Sequence, residues 1–235
     1  LSNSVSLSET HSDPTCSGSL DGSIDLSMSG GIFPYSFYWI DSISGLIYPT
    51  TEDLTTIGPG DYWCTVTDAN GCNGLPLQVI ITTPNAISTN STLTDITCFG
   101  AVDGSIDLTI NGGISPYSFA WTGPGGPYNT EDIYNLNPGV YTLNVTDADS
   151  CSLSAGPFPL IEPSTISASY TKNDISCFGL NNGSIDLTIN GGTSPYSVTW
   201  TSPNGFFSNT EDITNLNPGL YTLNVTDVNF CLMAS

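Results

Sequence analysis

Hydrophobic and polar residues alternate along this chain in short bursts separated by glycine- and proline-rich turns. Ile106, Leu108 and Ile110 are spaced by Asp107 and Thr109, the period of two that a half-buried strand needs. Asn111-Gly112-Gly113 then offers a turn where positive φ is easy. Tyr117, Phe119 and Trp121 alternate on the next strand. After Asn137-Pro138-Gly139, Tyr141, Leu143 and Val145 point one way while Thr142, Asn144 and Thr146 point the other. A last strand precedes Pro163, and the segment from Ile166 to Asp174 opens another cycle.

The cycle occurs three times. The phrase CFGAVDGSIDLTINGGISPYSFAW (Cys98 to Trp121) returns as CFGLNNGSIDLTINGGTSPYSVTW (Cys177 to Trp200), and a more divergent form runs from Cys16 to Trp39. Each keeps 23 positions between Cys and Trp. A second block follows in TEDLTTIGPGDYWCTVTDANGC, TEDIYNLNPGVYTLNVTDADSC and TEDITNLNPGLYTLNVTDVNFC, with Glu and Cys always 20 apart. Cys16, Cys98 and Cys177 are 82 and 79 apart, and the three extra residues fall between Trp39 and Glu52, as in a loop insertion.

Six or seven short strands around a central Trp predict an all-β fold of three tandem immunoglobulin-like β-sandwich repeats. The expected domains are residues 1–84, 85–163 and 164–235. Tyr62, Tyr141 and Tyr221 follow a Pro-Gly-x turn, the placement of a tyrosine corner. The third repeat stops four residues past Cys231, where the others continue 12 past their second Cys to Pro84 and Pro163, so it is expected to lack its closing strand. Either the segment simply ends there, or a strand of a neighbouring chain, such as Ser4 to Ser12, fills the open edge head to tail.

Charge narrows the function classes. Lys172 and His11 are the only basic side chains against 22 carboxylates, a formal charge of −21. Such a chain cannot neutralise a phosphate backbone, which excludes nucleic acid as a partner, and anionic membranes repel it. No apolar run is long enough to span a bilayer and no signal peptide opens the sequence, so either the export signal has been removed or this is an internal segment. Seven Cys in a β-rich chain predict an oxidising compartment.

The two blocks together, C-F-G-x-x-x-G-S-I-D-L-T-I-x-G-G-x-x-P-Y-x-x-x-W and T-E-D-x-x-x-L-x-P-G-x-Y-T-L-x-V-T-D-x-x-x-C, resemble the SprB repeat. The resemblance covers nearly the whole chain. It implies a very long secreted protein of the Bacteroidetes, such as a mobile gliding adhesin, exported by the type IX system and displayed on the cell surface. The first copy departs most, with CSGSLDGSIDLSMSGG and Cys64, but keeps every landmark. The family brings no catalytic residues to transfer.

If the Gly-Ser-Ile-Asp-Leu strand and the Tyr-containing strand face each other, a disulfide would staple their ends within each repeat. The expected pairs are Cys16–Cys72, Cys98–Cys151 and Cys177–Cys231. Cys64 takes the place of Leu143 and Leu223 and is expected as a buried free thiol. Recurring acids at Asp21 and Asp25, Asp103 and Asp107, and Asp186 are candidate Ca²⁺ ligands, though Asp also caps turns and no calcium-loop spacing is present. Glu52-Asp53 and its two copies could in principle serve a glycosidase, but an active site is rarely triplicated along small domains, and His11 has no counterpart for a triad. The reading is therefore non-catalytic.

Of the aromatics, Tyr117, Phe119 and Trp121 read as core, while Phe206 and Phe207 share a hairpin loop where at least one must face outward, as a surface- or glycan-binding pair would. The function expected is a structural stalk or filament segment of a surface adhesin or extracellular fibre. The alternatives are glycan- or solid-surface-binding modules, or an accessory stalk of a secreted polysaccharide-degrading enzyme. Modules about 35 Å long, at roughly 3.3 Å per strand residue, would make a rod of roughly 110 Å with neighbouring repeats as partners.

Overall fold

The computed structural model describes residues 4–233, and its regular elements are all strands. The first repeat holds β1 (Ser6–Ser12), β2 (Gly22–Ser29), β3 (Ser36–Asp41), β4 (Leu54–Ile57), β5 (Gly60–Thr67) and β6 (Leu77–Ile81). The second holds β7 (Ser88–Thr94), β8 (Gly104–Asn111), β9 (Ser118–Thr122), β10 (Ile133–Leu136), β11 (Gly139–Thr146) and β12 (Ser152–Leu160). The third holds β13 (Ser167–Asn173), β14 (Gly183–Asn190), β15 (Ser197–Thr201), β16 (Phe207–Ser208), β17 (Ile213–Leu216) and β18 (Thr222–Thr226).

One sheet of each repeat is ordered β1-β2-β4, β7-β8-β10 or β13-β14-β17; the other is β3-β5-β6, β9-β11-β12 or β16-β15-β18. This is an immunoglobulin-like sandwich, in ABE and CFG strand order in the first two repeats; in the third, the short β16 flanks the C-equivalent β15 instead of a G strand flanking β18. The period of two does the expected work: Ile24 and Leu26 of β2 are buried while Asp25 and Ser27 face out, and Tyr62, Cys64 and Val66 of β5 line the opposite wall. In the first repeat these residues close around Trp39, whose indole N–H donates to the Thr51 carbonyl at 3.2 Å. Trp121 and Trp200 donate likewise to Thr130 and Glu211.

The tyrosine corner is present three times. The hydroxyls of Tyr62, Tyr141 and Tyr221 donate to the carbonyls of Gly58, Asn137 and Asn217, four residues upstream, at 3.0, 2.8 and 2.9 Å. Burial pushes the Tyr141 hydroxyl up to about 12, so it remains a donor at any physiological pH. A left-handed residue in the equivalent strands β4, β10 and β17, Thr56, Asn135 or Asn215, coincides with a register shift against the neighbouring strand.

The residues cluster into two compact units. One comprises the chain up to Asn90 with Thr109–Phe119 and Asn144–Ser154; the other comprises Ser91–Leu108, Ala120–Leu143 and the chain from Ala155 onward. In the first, Gly112 has φ +74°, and an added Cβ would stand 2.1 Å from the Ala86 carbonyl oxygen, so only glycine fits this turn. In the second, Phe158 of β12 packs at 5.4 Å from Trp121, and Tyr141 and Leu143 are buried. Their counterparts Tyr221 and Leu223 are only half-buried, because β18 has no third strand beside it like β6 or β12 among the described residues. The core of the third repeat is thinner on this side.

β1 pairs with β2 along its whole length, from Ser6 opposite Ser29 to Ser12 opposite Ser23, so the stretch considered for donation already has a partner. His11 on that strand lies 2.9 Å from a Glu9 carboxylate oxygen, and Lys172 pairs with Asp174 at 2.9 Å in the open.

Candidate functional site

Two cysteine-bearing turns recur at opposite ends of every repeat. The first precedes the second strand. Asp21 accepts hydrogen bonds from the Thr15 amide at 3.1 Å and from the Thr15 and Ser19 hydroxyls at 2.6 Å each, which curls Cys16 onto the surface. The Ser19 and Thr15 hydroxyls hold the Asp21 carboxyl down at about 2. Asp103 binds the Thr97 amide at 3.1 Å and also the Thr97 hydroxyl. In the third repeat Asn182 accepts from the Ser176 amide at 3.2 Å and donates to the Ser176 hydroxyl at 2.8 Å.

The second turn follows the equivalent strands β5, β11 and β18. Asp68 is buried, and its Oδ1 accepts the amides of Asn70 and Cys72 at 2.9 Å each, while Oδ2 accepts the Ile32 amide at 3.2 Å. Asp147 does the same with Asp149, Cys151 and Ile114, and Asp227 with Asn229, Cys231 and Thr193. The Cys72 amide leads the hydrogen bonds that keep the Asp68 carboxyl below its ordinary value.

These turns meet across repeats, not within them. Cys16 bonds to Cys151 and Cys98 to Cys231, each with Cα atoms 5.6 Å apart, bridging 135 and 133 residues. In the first joint the Cys151 sulfur lies 3.3 Å from the Thr15 carbonyl oxygen. In the second the Cys231 sulfur lies 3.4 Å from that of Thr97, which also accepts from the Asn229 side-chain amide at 3.2 Å. Cys98, Phe99, Pro163, Ile166, Phe230 and Leu232 help to frame a cavity of about 370 Å³ beside this joint.

The intra-repeat pairs Cys16–Cys72, Cys98–Cys151 and Cys177–Cys231 are therefore corrected. They assumed that β2 and β5 run in opposite directions. The Ile32 amide just past β2 bonds Asp68 just past β5, and Ala69 N–H donates to the Ile32 carbonyl at 2.9 Å. The two strands thus end together and run the same way. A Cys before one and a Cys after the other stand at opposite ends of the sandwich.

The remaining predicted residues separate cleanly. Cys64 is buried and free opposite Trp39, and burial pushes its thiol up to about 12. Of the calcium candidates, Asp21 and Asp103 spend their oxygens on the cysteine turns, while Asp25, Asp107 and Asp186 stand exposed in mid-strand. Among the described residues no three acidic, His or Cys side chains converge as metal ligands would. Asp53, Asp132 and Asp212 accept the amides of Leu26, Leu108 and Leu187 at 2.9, 2.8 and 2.9 Å, tying the loop before β4, β10 or β17 onto the second strand of its repeat. Phe206 turns inward against Tyr221, with ring centroids 5.2 Å apart, and Phe207 is exposed.

The SprB repeat family model matches the chain three times, at residues 8–42, 90–126 and 169–205, each match running through a first-cysteine turn to the Trp strand. The chain carries three SprB repeats. No match appears among curated proteins. Among solved structures, the SprB chain is similar to three N-terminal domains of the bacteriophage RB49 highly immunogenic outer capsid protein, at 13% identity and TM-score 0.47, covering 99% of this chain and 87% of that one. It is also similar to extracellular domains 3–5 of Drosophila OTK, at 12% identity and TM-score 0.28, covering 100% and 93%.

Proposed function

We propose that this chain is a non-catalytic structural segment of a cell-surface adhesin or extracellular fibre, a spacer in which each SprB repeat is locked to the next. The observation that carries this reading is the cystine joint formed twice from the same pair of turns. A binding or catalytic module has no need of a covalent bond to its neighbour; a tether under tension does. Disulfides place such a chain outside a reducing cytoplasm. One acid of each repeated Glu-Asp pair, Asp53, Asp132 or Asp212, is engaged in capping a backbone amide, which further favours a structural role.

Adhesion of the purified segment to glycan arrays and to glass tests it. A spacer gives no more retention than an unrelated β-sandwich. Retention that disappears in Phe207→Ala would instead make the repeats themselves binders, a reading favoured by the exposure of Phe207.

A further inference from the structure

Two of the six repeated cysteines take no part in the joints. Cys72 and Cys177 are free and exposed. Each nevertheless sits in the geometry of its bonded counterparts. Cys72 receives the same clamp from Asp68, at 2.9, 2.9 and 3.2 Å, that Cys151 receives from Asp147 at 3.0, 2.9 and 3.0 Å. Cys177 occupies the turn of Cys16 and Cys98, with the Leu180 amide donating to its carbonyl at 3.2 Å as those of Ser19 and Ala101 do at 3.0 Å. One thiol is thus a second-cysteine half and the other a first-cysteine half.

The surfaces around them are also open. Next to Cys177, Phe178 is fully exposed, and with Ile175, Leu180 and Pro218 it borders a hollow of about 450 Å³. Its counterpart Phe99, beside the bonded Cys98, is 59% exposed and shares its cavity with Phe230 and Leu232 from the incoming turn. At the other half, Ile32, Phe33 and Leu75 lie exposed near the Cys72 turn.

We infer that the Cys72 and Cys177 ends are open halves of the joint already formed twice within the chain, and that each takes the complementary end of another SprB repeat. In a second copy of this chain the sealing bond is Cys177 to Cys72, which makes the segment self-complementary head to tail. The inference rests on the joint geometry and stands whether or not the assembled string serves as a spacer. A small-molecule disulfide such as oxidised glutathione supplies the oxidation. One thiolate displaces a glutathione to form a mixed disulfide, and the partner thiolate displaces the second. Two protein thiols become one disulfide, and two molecules of reduced glutathione carry away both electrons and both protons.

The test uses the purified chain with its two internal disulfides intact, incubated in a glutathione redox buffer and read on non-reducing gels and by peptide mass mapping. A ladder of multimers joined by a Cys72–Cys177 peptide is expected, and it is lost in Cys72→Ser/Cys177→Ser. Cys72→Ser and Cys177→Ser should each stay monomeric alone and give dimers only when mixed. Three results would overturn the inference: single-thiol variants that dimerise alone as readily as together; a wild-type monomer carrying one glutathione on each thiol; or a bond between Cys72 and Cys177 of the same molecule.

Discussion

A chain held by its two ends can be stretched no further than its shortest covalent path. Cys16 and Cys231 are 215 residues apart along the polypeptide. The bonds Cys16–Cys151 and Cys98–Cys231 close overlapping loops, so the taut path leaves Cys16 for Cys151, runs backward to Cys98 and crosses to Cys231. That path holds 53 residues. At about 3.5 Å per residue, complete unfolding between these points yields about 190 Å, against about 750 Å after reduction.

The discriminating sample is Cys72→Ser/Cys177→Ser. Wild type cannot separate the pairings, because three intra-repeat bonds would leave 52 residues in the path. In the double variant the observed joints still give 53, whereas intra-repeat pairing keeps only Cys98–Cys151 and leaves 162, about 570 Å. Cys151→Ser should open one joint and lengthen the wild-type path to the 82 residues from Cys16 to Cys98, about 290 Å. Single-molecule force spectroscopy with handles at the termini reads these lengths directly. A double variant extending to about 570 Å under non-reducing conditions would refute the cross-repeat joints.

Tyr141→Phe removes the hydroxyl that bonds the Asn137 carbonyl at 2.8 Å and should cost about 1–2 kcal/mol in urea unfolding, with no change in m-value. A thiol reagent should titrate two cysteines in the native chain, Cys72 and Cys177, and a third only in denaturant; early reaction of Cys64 would contradict its burial opposite Trp39. The Asp21 carboxyl, held at about 2 against an ordinary 3.8, steadies the Cys16 turn fully above pH 3.8, and that contribution is lost as pH falls toward 2. The Thr15 amide resonance should therefore titrate with a midpoint near 2, and a midpoint near 3.8 would mean that the turn is not capped as described.

The strands, turns and tyrosine corners were legible because each is written in local spacing: Ile106 and Leu108 face in and Asp107 faces out for reasons confined to eight residues. Cys64 was legible for the same reason, by its register with Leu143. The cysteine pairing was not, since it depends on the relative direction of two strands in different sheets. A signal did exist. The fourth strand pairs antiparallel with the second, and the Asn137-Pro138-Gly139 turn reverses the fourth into the fifth, so the second and fifth must run alike. Two reversals make a parallel pair, and a parallel pair puts a leading Cys and a trailing Cys at opposite ends. Once that is followed through, a sulfur at each end of a tandem module has one economical partner, the facing end of the next module, and both bonds here obey it. The acids misled in the opposite direction. Asp21 and Asp103 recur because the cysteine turns need a cap, so the repetition that suggested a metal site records the repetition of the joint.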